Sequence, residues 1–179
     1  MKLLEKIKIK VRGSIDLQQL KKDGLIVGKN FNAMQGVIID PGHCWLIEIG
    51  DNVTLAPNVH ILAHDASMKK SLGYAKIGQV IIGNNVFIGA GSIILPNVII
   101  ADNTIVGAGS VVTTSLLDSG VYVGNPAKKI CSYENWFDKQ QQNIKTLPVF
   151  DESYKIGNIS DQKKAEMKKK LKESIGYIV

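Results

Sequence analysis

The chain has 179 residues, 45% of them hydrophobic and 21% charged, which fits one folded domain with room for an extra element and excludes a disordered tail. Its net charge of +6 sits at the ends: residues 1–24 carry +4, residues 161–179 carry +3 and the stretch between carries −1, a pattern of solvated helix faces rather than a nucleic-acid footprint. No run approaches the ~20 apolar residues of a membrane span, MKLLEK lacks the apolar core of a secretory signal, and two cysteines are too few for a disulfide scaffold or a CxxC zinc site, so a cytoplasmic protein is expected.

In chain order, residues 1–24 read as an N-terminal strand and short helix, capped by Ser14, running through Leu20–Lys22 and ended by Gly24. A six-residue repeat then begins weakly at Val27 (VGKNFN) and clearly at Ile49, Leu55 and Ile61 (IGDNVT, LAPNVH, ILAHDA). It breaks after Ala66, leaves out ASMKKSLGYAK, and resumes at Ile82 as IGNNVF, IGAGSI, ILPNVI, IADNTI, VGAGSV, VTTSLL. After Pro126 the frame is lost. YENWFDKQQQNIK is helix-forming, and DQKKAEMKKKLKESI places Ala165, Met167, Leu171 and Ile175 at helical spacing as a packing stripe. These shifts divide the chain into an N-terminal segment (1–24), a repeat domain (25–130) and a C-terminal helical extension (131–179).

Neither a 3.6-residue period nor plain alternation generates this repeat. A hexad is one short strand plus a corner: the β-branched aliphatic at its first position points to a narrow axis, and the Gly, Asn or Asp that follows permits the turn. Three hexads close a triangular coil. No coil buries its axis alone, so several must stack, and this length provides five or six. The expected fold is an all-β solenoid with a loop extruded after the fourth or so coil face, where a rigid scaffold commonly carries function.

The stretches IGDNVTLAPNVHILAHDAS, IGNNVFIGAGSIILPNVII, VGAGSVVTTS and GVYVGNPAKKI together resemble the hexapeptide-repeat O-acetyltransferases: the galactoside, maltose and xenobiotic enzymes and those that acetylate surface-polysaccharide sugars. The resemblance implies a left-handed parallel β-helix, acetyl-CoA as co-substrate with no metal required, and a homotrimer with its active site between subunits. It also implies a histidine base that matches His64. Neutral imidazole suits that task, because a sugar hydroxyl is a poor nucleophile at neutral pH and a general base takes its proton as it attacks the thioester. Asp65 is the candidate orienting carboxylate, although neighbouring side chains of an extended segment alternate in direction.

By the same resemblance a backbone N–H at Gly89–Ala90 receives the oxyanion. Ala90, Gly107 and Ala108 supply a small-residue groove for the pantetheine arm, Thr113 matches a further cofactor position, and Lys128 stands where the family carries a basic residue for the phosphates, with Lys129 following it as a second cofactor candidate. Phe87 replaces a common Trp, and Thr114 a common Lys. The Asn and acid with which the galactoside enzymes grip their sugar have no match in IIDPGHCWLIE. Trp45, Tyr74, Lys69 and Lys70 are candidates for an acceptor site, and His60 reads as a surface residue.

The expected function is acetyl transfer to a hydroxyl of a sugar, sugar nucleotide or polysaccharide precursor. Three other readings stay open: a non-catalytic hexapeptide scaffold, a β-helical carbonic anhydrase-like enzyme with zinc on His43, His60 and His64, and a serine acetyltransferase, whose long N-terminal helical region has no match in this sequence.

Overall fold

A computed structural model describes residues 15–179. The chain forms two compact units, one ending at Tyr133 and one spanning Glu134–Val179. Ser14 lies outside the described residues. Helix α1 (Leu17–Lys22) is capped by Asp16, whose side chain accepts from Gln19 N at 3.1 Å.

The repeat builds the first unit from very short strands. β1 (Ile26–Val27), β2 (Asn32–Ala33) and β3 (Ile38–Ile39) make the first coil; β4 (Ile47–Ile49), β5 (Thr54–Leu55) and β6 (His60–Ile61) make the second. The chain then leaves as a hairpin of β7 (His64–Asp65) and β8 (Lys76–Ile77), with a four-residue helix α2 (Lys69–Leu72) at its tip. β9 (Val80–Ile82), β10 (Phe87–Ile88) and β11 (Ile93–Ile94) form the third coil, β12 (Val98–Ile100), β13 (Thr104–Val106) and β14 (Val111–Val112) the fourth. Leu116, bridged to Ile100, and β15 (Gly120–Val123) begin a fifth, and β16 (Lys128–Cys131) closes antiparallel on β15.

Three sheets therefore run along the axis: β1-β4-β9-β12, β2-β5-β10-β13-β15-β16 and β3-β6-β11-β14. All coil-to-coil pairings are parallel, with Ile61, Ile94 and Val112 stacked on one face and Leu55, Ile88 and Val106 on another. Four full coils are present among the described residues, rather than five or six. The hairpin and the longer corner after Ile39, where Cys44–Leu46 form a 3₁₀ turn, take up residues that counting in sixes assigns to rungs. The hairpin follows the sixth strand rather than the fourth, because the weak frame from Val27 through Ala33 to Ile39 makes a full coil of its own.

The first hexad position points to the axis as expected: Ile49, Leu55, Ile61, Ile82, Ile88, Ile94, Ile100, Val106 and Val112 are all buried. So is the fifth, from Val53 and Val59 to Val86, Ser92, Val98, Thr104 and Ser110. The turn itself falls to the fourth position, where Asn52, Asn85, Asn97 and Asn103 take φ of 52–64° and Gly91 and Gly109 take 68°. The glycine at the second position has a different task. A Cβ on Gly89 would stand 2.4 Å from the backbone nitrogen of Ala108, so it is there for the close approach of successive coils.

In the second unit α3 (Tyr133–Thr146) precedes β17 (Val149–Phe150), which pairs in parallel with the C-terminal β18 (Tyr177–Ile178). Helix α4 (Asp161–Lys170) is capped by Ser160 and tied down by Glu166, which accepts from Tyr154 Oη at 2.8 Å and meets Lys170 Nζ at 2.7 Å. The helix stops before Leu171, and Ile175 is exposed rather than part of a packing stripe.

Candidate active site

The corner that joins the third sheet back to the first gathers the candidate catalytic side chains. Ile39 pairs with Ile61 across the first two coils. The residue after Ile39, Asp40, is buried at this corner with three donors converging on it: Ala63 N on Oδ2 and Gly42 N on Oδ1, both at 3.0 Å, and the Nδ1 of His64 on Oδ2. Burial alone would raise the Asp40 pKa. The hydrogen bonds from His64, Ala63 and Gly42, with the electrostatic attraction of the His64 ring, outweigh it and hold the carboxyl below its ordinary range.

An ionised Asp40 accepts only, so Nδ1 of a neutral His64 must be the protonated nitrogen, and Nε2 keeps its lone pair. That is the tautomer a general base requires. The His64 side chain remains 38% exposed and faces a groove of about 620 Å³. The groove follows one corner of the stack: Leu62, Leu95 and Thr113 are the residues after the core positions Ile61, Ile94 and Val112 in three successive coils, with Ala66 and Lys76 of the hairpin beside His64.

His43 adds a second imidazole. Its ring centroid lies 4.9 Å from that of His64 and 5.3 Å from that of Trp45, which is itself 55% exposed. Its Nδ1 is 4.0 Å from Asp40 Oδ1, buried and without a hydrogen-bond partner among the described residues.

Several expectations need correcting. Asp65 does not orient His64: it accepts from Ser67 N at 2.8 Å and lies 3.6 Å from Lys76 Nζ, because adjacent side chains of a strand face opposite ways. Its carboxyl is held below the ordinary range by those Ser67 hydrogen bonds and by Lys76. His60 lies outward on β6, in register with Ile38 and Ile93, so the three histidines do not converge. The cluster that does converge is Asp40, His43 and His64.

Of the cofactor candidates, Thr113 shares the groove with His64. Gly89, Ala90, Gly107 and Ala108 stack on the next corner, between the second and third sheets, so one chain alone does not bring them to His64. The Gly89 N–H is already committed to Val106 O at 2.7 Å, which leaves Ala90 as the oxyanion candidate of that pair. Lys128 is exposed on β16; Lys129 reaches Asp118 at 4.0 Å and stands 6.0 Å from the Tyr122 ring centroid. Sequence reasoning missed Asp40, and it placed His43 only in the zinc alternative, with the wrong companion His60. The signal was available, since carrying the hexad frame on to Ile39 puts a charged Asp40 directly into a stacked corner.

Comparison with known proteins fits this geometry. Residues 79–114 match the family described as bacterial transferase hexapeptide (six repeats). The chain is 48% identical to protein CapG of Staphylococcus aureus over 103 residues, which cover 55% of this chain and 60% of that protein. The match thus spans less than two thirds of this curated relative's length. Among solved structures, a maltose O-acetyltransferase from Clostridium difficile 630 is 32% identical, with TM-score 0.53, over 72% of this chain and 83% of the other. A galactoside acetyltransferase in complex with coenzyme A is 25% identical, with TM-score 0.56, over 75% and 80%. These likenesses assign the stacked coils to the left-handed hexapeptide β-helix. No helix among the described residues is long and apolar enough to cross a membrane.

Proposed function

This chain belongs to the hexapeptide-repeat acetyltransferases, and on that premise we propose that it moves an acetyl group from acetyl-CoA to a hydroxyl of a sugar, sugar nucleotide or polysaccharide precursor. The observation that carries the reading is the buried Asp40 carboxylate on His64 Nδ1, at the head of an open groove. The thioester supplies the activated acetyl group. His64 Nε2 takes the hydroxyl proton as the acceptor oxygen attacks, Asp40 steadies the imidazolium, and the same nitrogen returns the proton to the departing sulfur. The backbone N–H of Ala90 holds the oxyanion.

The groove accommodates a thin arm, and the small exposed side chains of Ala90 and Ala108 leave room on the other corner. Since those residues and His64 occupy different corners, the complete site requires a second chain. We assign it to the interface of a homotrimer, with His64 from one subunit and Ala90, Gly107 and Ala108 from its neighbour. Lys128 and Lys129 then meet the CoA phosphates, as cationic donors suit phosphate oxygens. Trp45 offers an exposed aromatic face beside His43, which suits a sugar acceptor.

The test is His64→Ala. The variant should keep its fold and oligomeric state while acetyl transfer to the accepted sugar falls by about 10²–10⁴-fold. Undiminished transfer in a folded variant would remove His64 from the reaction.

A further inference from the structure

His43 has no part in the transfer chemistry, yet it brings a buried, unpartnered nitrogen to the same carboxylate that holds His64. We propose that Asp40, His43 and His64 form a binding site for a divalent transition-metal ion of the zinc class, and that its occupation turns off His64 as a base. Each side chain offers one ligand atom, and these atoms all lie within 4.8 Å of one another. Bonds of about 2.0–2.2 Å to a tetrahedral ion put neighbouring ligands about 3.3–3.6 Å apart. His43 Nδ1 stands 4.0 Å from Asp40 Oδ1, so it need close only a fraction of an ångström, while the His64–Asp40 contact must open further than that, on the order of 1 Å, as the ion replaces the shared proton.

The donor set selects the ligand. Two imidazoles and one carboxylate suit Zn²⁺, Co²⁺, Ni²⁺ or Cu²⁺, whereas Mg²⁺ and Ca²⁺ take oxygen cages. Three protein ligands leave a fourth position open. Outer support is in place, because Ala63 N and Gly42 N fix both oxygens of Asp40. Buried polar atoms are ordinarily paired, and His43 Nδ1, the one buried side-chain atom among the described residues that is not, is the atom that completes the set.

The consequence for His64 follows from its tautomer. Without an ion, Nδ1–H donates to Asp40 and Nε2 carries the lone pair. With an ion on the Nδ1 lone pair, the ring proton sits on Nε2, which is then a donor and no base. The proton passes from one ring nitrogen to the other, and none is released. Coordination stands independently of the transferase reading; only the switch rests on it.

The test titrates Co²⁺ into the full-length protein without acetyl-CoA and reads the visible absorption of tetrahedral cobalt, then displaces it with Zn²⁺. One equivalent per chain is expected, with His60→Ala unchanged. His43→Ala should weaken binding at least as much as the loss of an outer-shell partner does, about 10–100-fold. Absence of the band through millimolar Co²⁺, equal binding by wild type and His43→Ala, or equal loss in His60→Ala overturns the site. In a separate arm, Zn²⁺ should inhibit wild-type acetyl transfer in step with occupancy and a chelator should restore it. Full transfer by the zinc-loaded protein overturns the switch, and the spectra still decide the site if no acetyl transfer is found at all.

Discussion

In the proposed reaction Asp40 and His64 divide one task between a buried residue and a half-exposed one. The carboxylate is fixed by two backbone amides and cannot turn away, so it dictates which imidazole nitrogen is free. Asp40→Asn keeps the shape and an acceptor oxygen but removes the charge that steadies the imidazolium. Steady-state kinetics should show kcat falling by about 10–10²-fold with the affinity for acetyl-CoA unchanged, a loss smaller than that of His64→Ala; an unchanged kcat would reduce Asp40 to a structural acceptor. At this scale the sequence was half legible. His64 stands out because it falls where a clear hexad frame breaks. Asp40 hides because Val27, Ala33 and Ile39 carry the frame in a stretch with few of its glycines, and because its link to His64 spans a full coil, which local spacing does not display.

Each hexad separates its functions by position, and each position responds to a different substitution. Ile88 sits on the axis between Leu55 and Val106 with no exposure, so Ile88→Ala opens a cavity that neighbours locked in ladders on both sides cannot fill. We expect a loss of about 2–5 kcal/mol in urea unfolding; a loss below about 1 kcal/mol would mean that the axis is loosely packed. The rungs were legible because side-chain direction follows directly from the period. Less legible was which residue makes the turn. Gly occurs at both the second and the fourth positions and Asn at both the third and the fourth, and only the backbone separates the left-handed Asn85 from Gly89, which is squeezed by Ala108. The hairpin announced itself as a frame break, while its depth in the stack depended on whether the weak first coil formed.

For the whole molecule, the separation of the two corners is the decisive feature. If neighbouring subunits share each site, two inactive variants should rescue one another: chains carrying His64→Ala mixed with chains whose groove is blocked by Ala108→Trp. Random reassembly restores the intact pair of half-sites in about one quarter of positions, so about a quarter of wild-type activity should return after unfolding and refolding the mixture. No recovery, with both variants properly assembled, would place the whole site within one chain. The stacked coils were readable from the hexads, whereas the proposed trimer rests on resemblance alone, since a repeat specifies its own stacking but not which outer face meets another copy. The second unit was readable as helices and no further, because its pairing of β17 with β18 joins strands of two residues each, too short to leave a pattern.

The most direct test of the account is a crystal structure of the protein with CoA bound. The account predicts the CoA sulfur within about 3–4 Å of His64 Nε2, with the pantetheine arm against Ala90 and Ala108 of an adjoining subunit. A sulfur lodged on another corner, out of reach of that nitrogen, would contradict it.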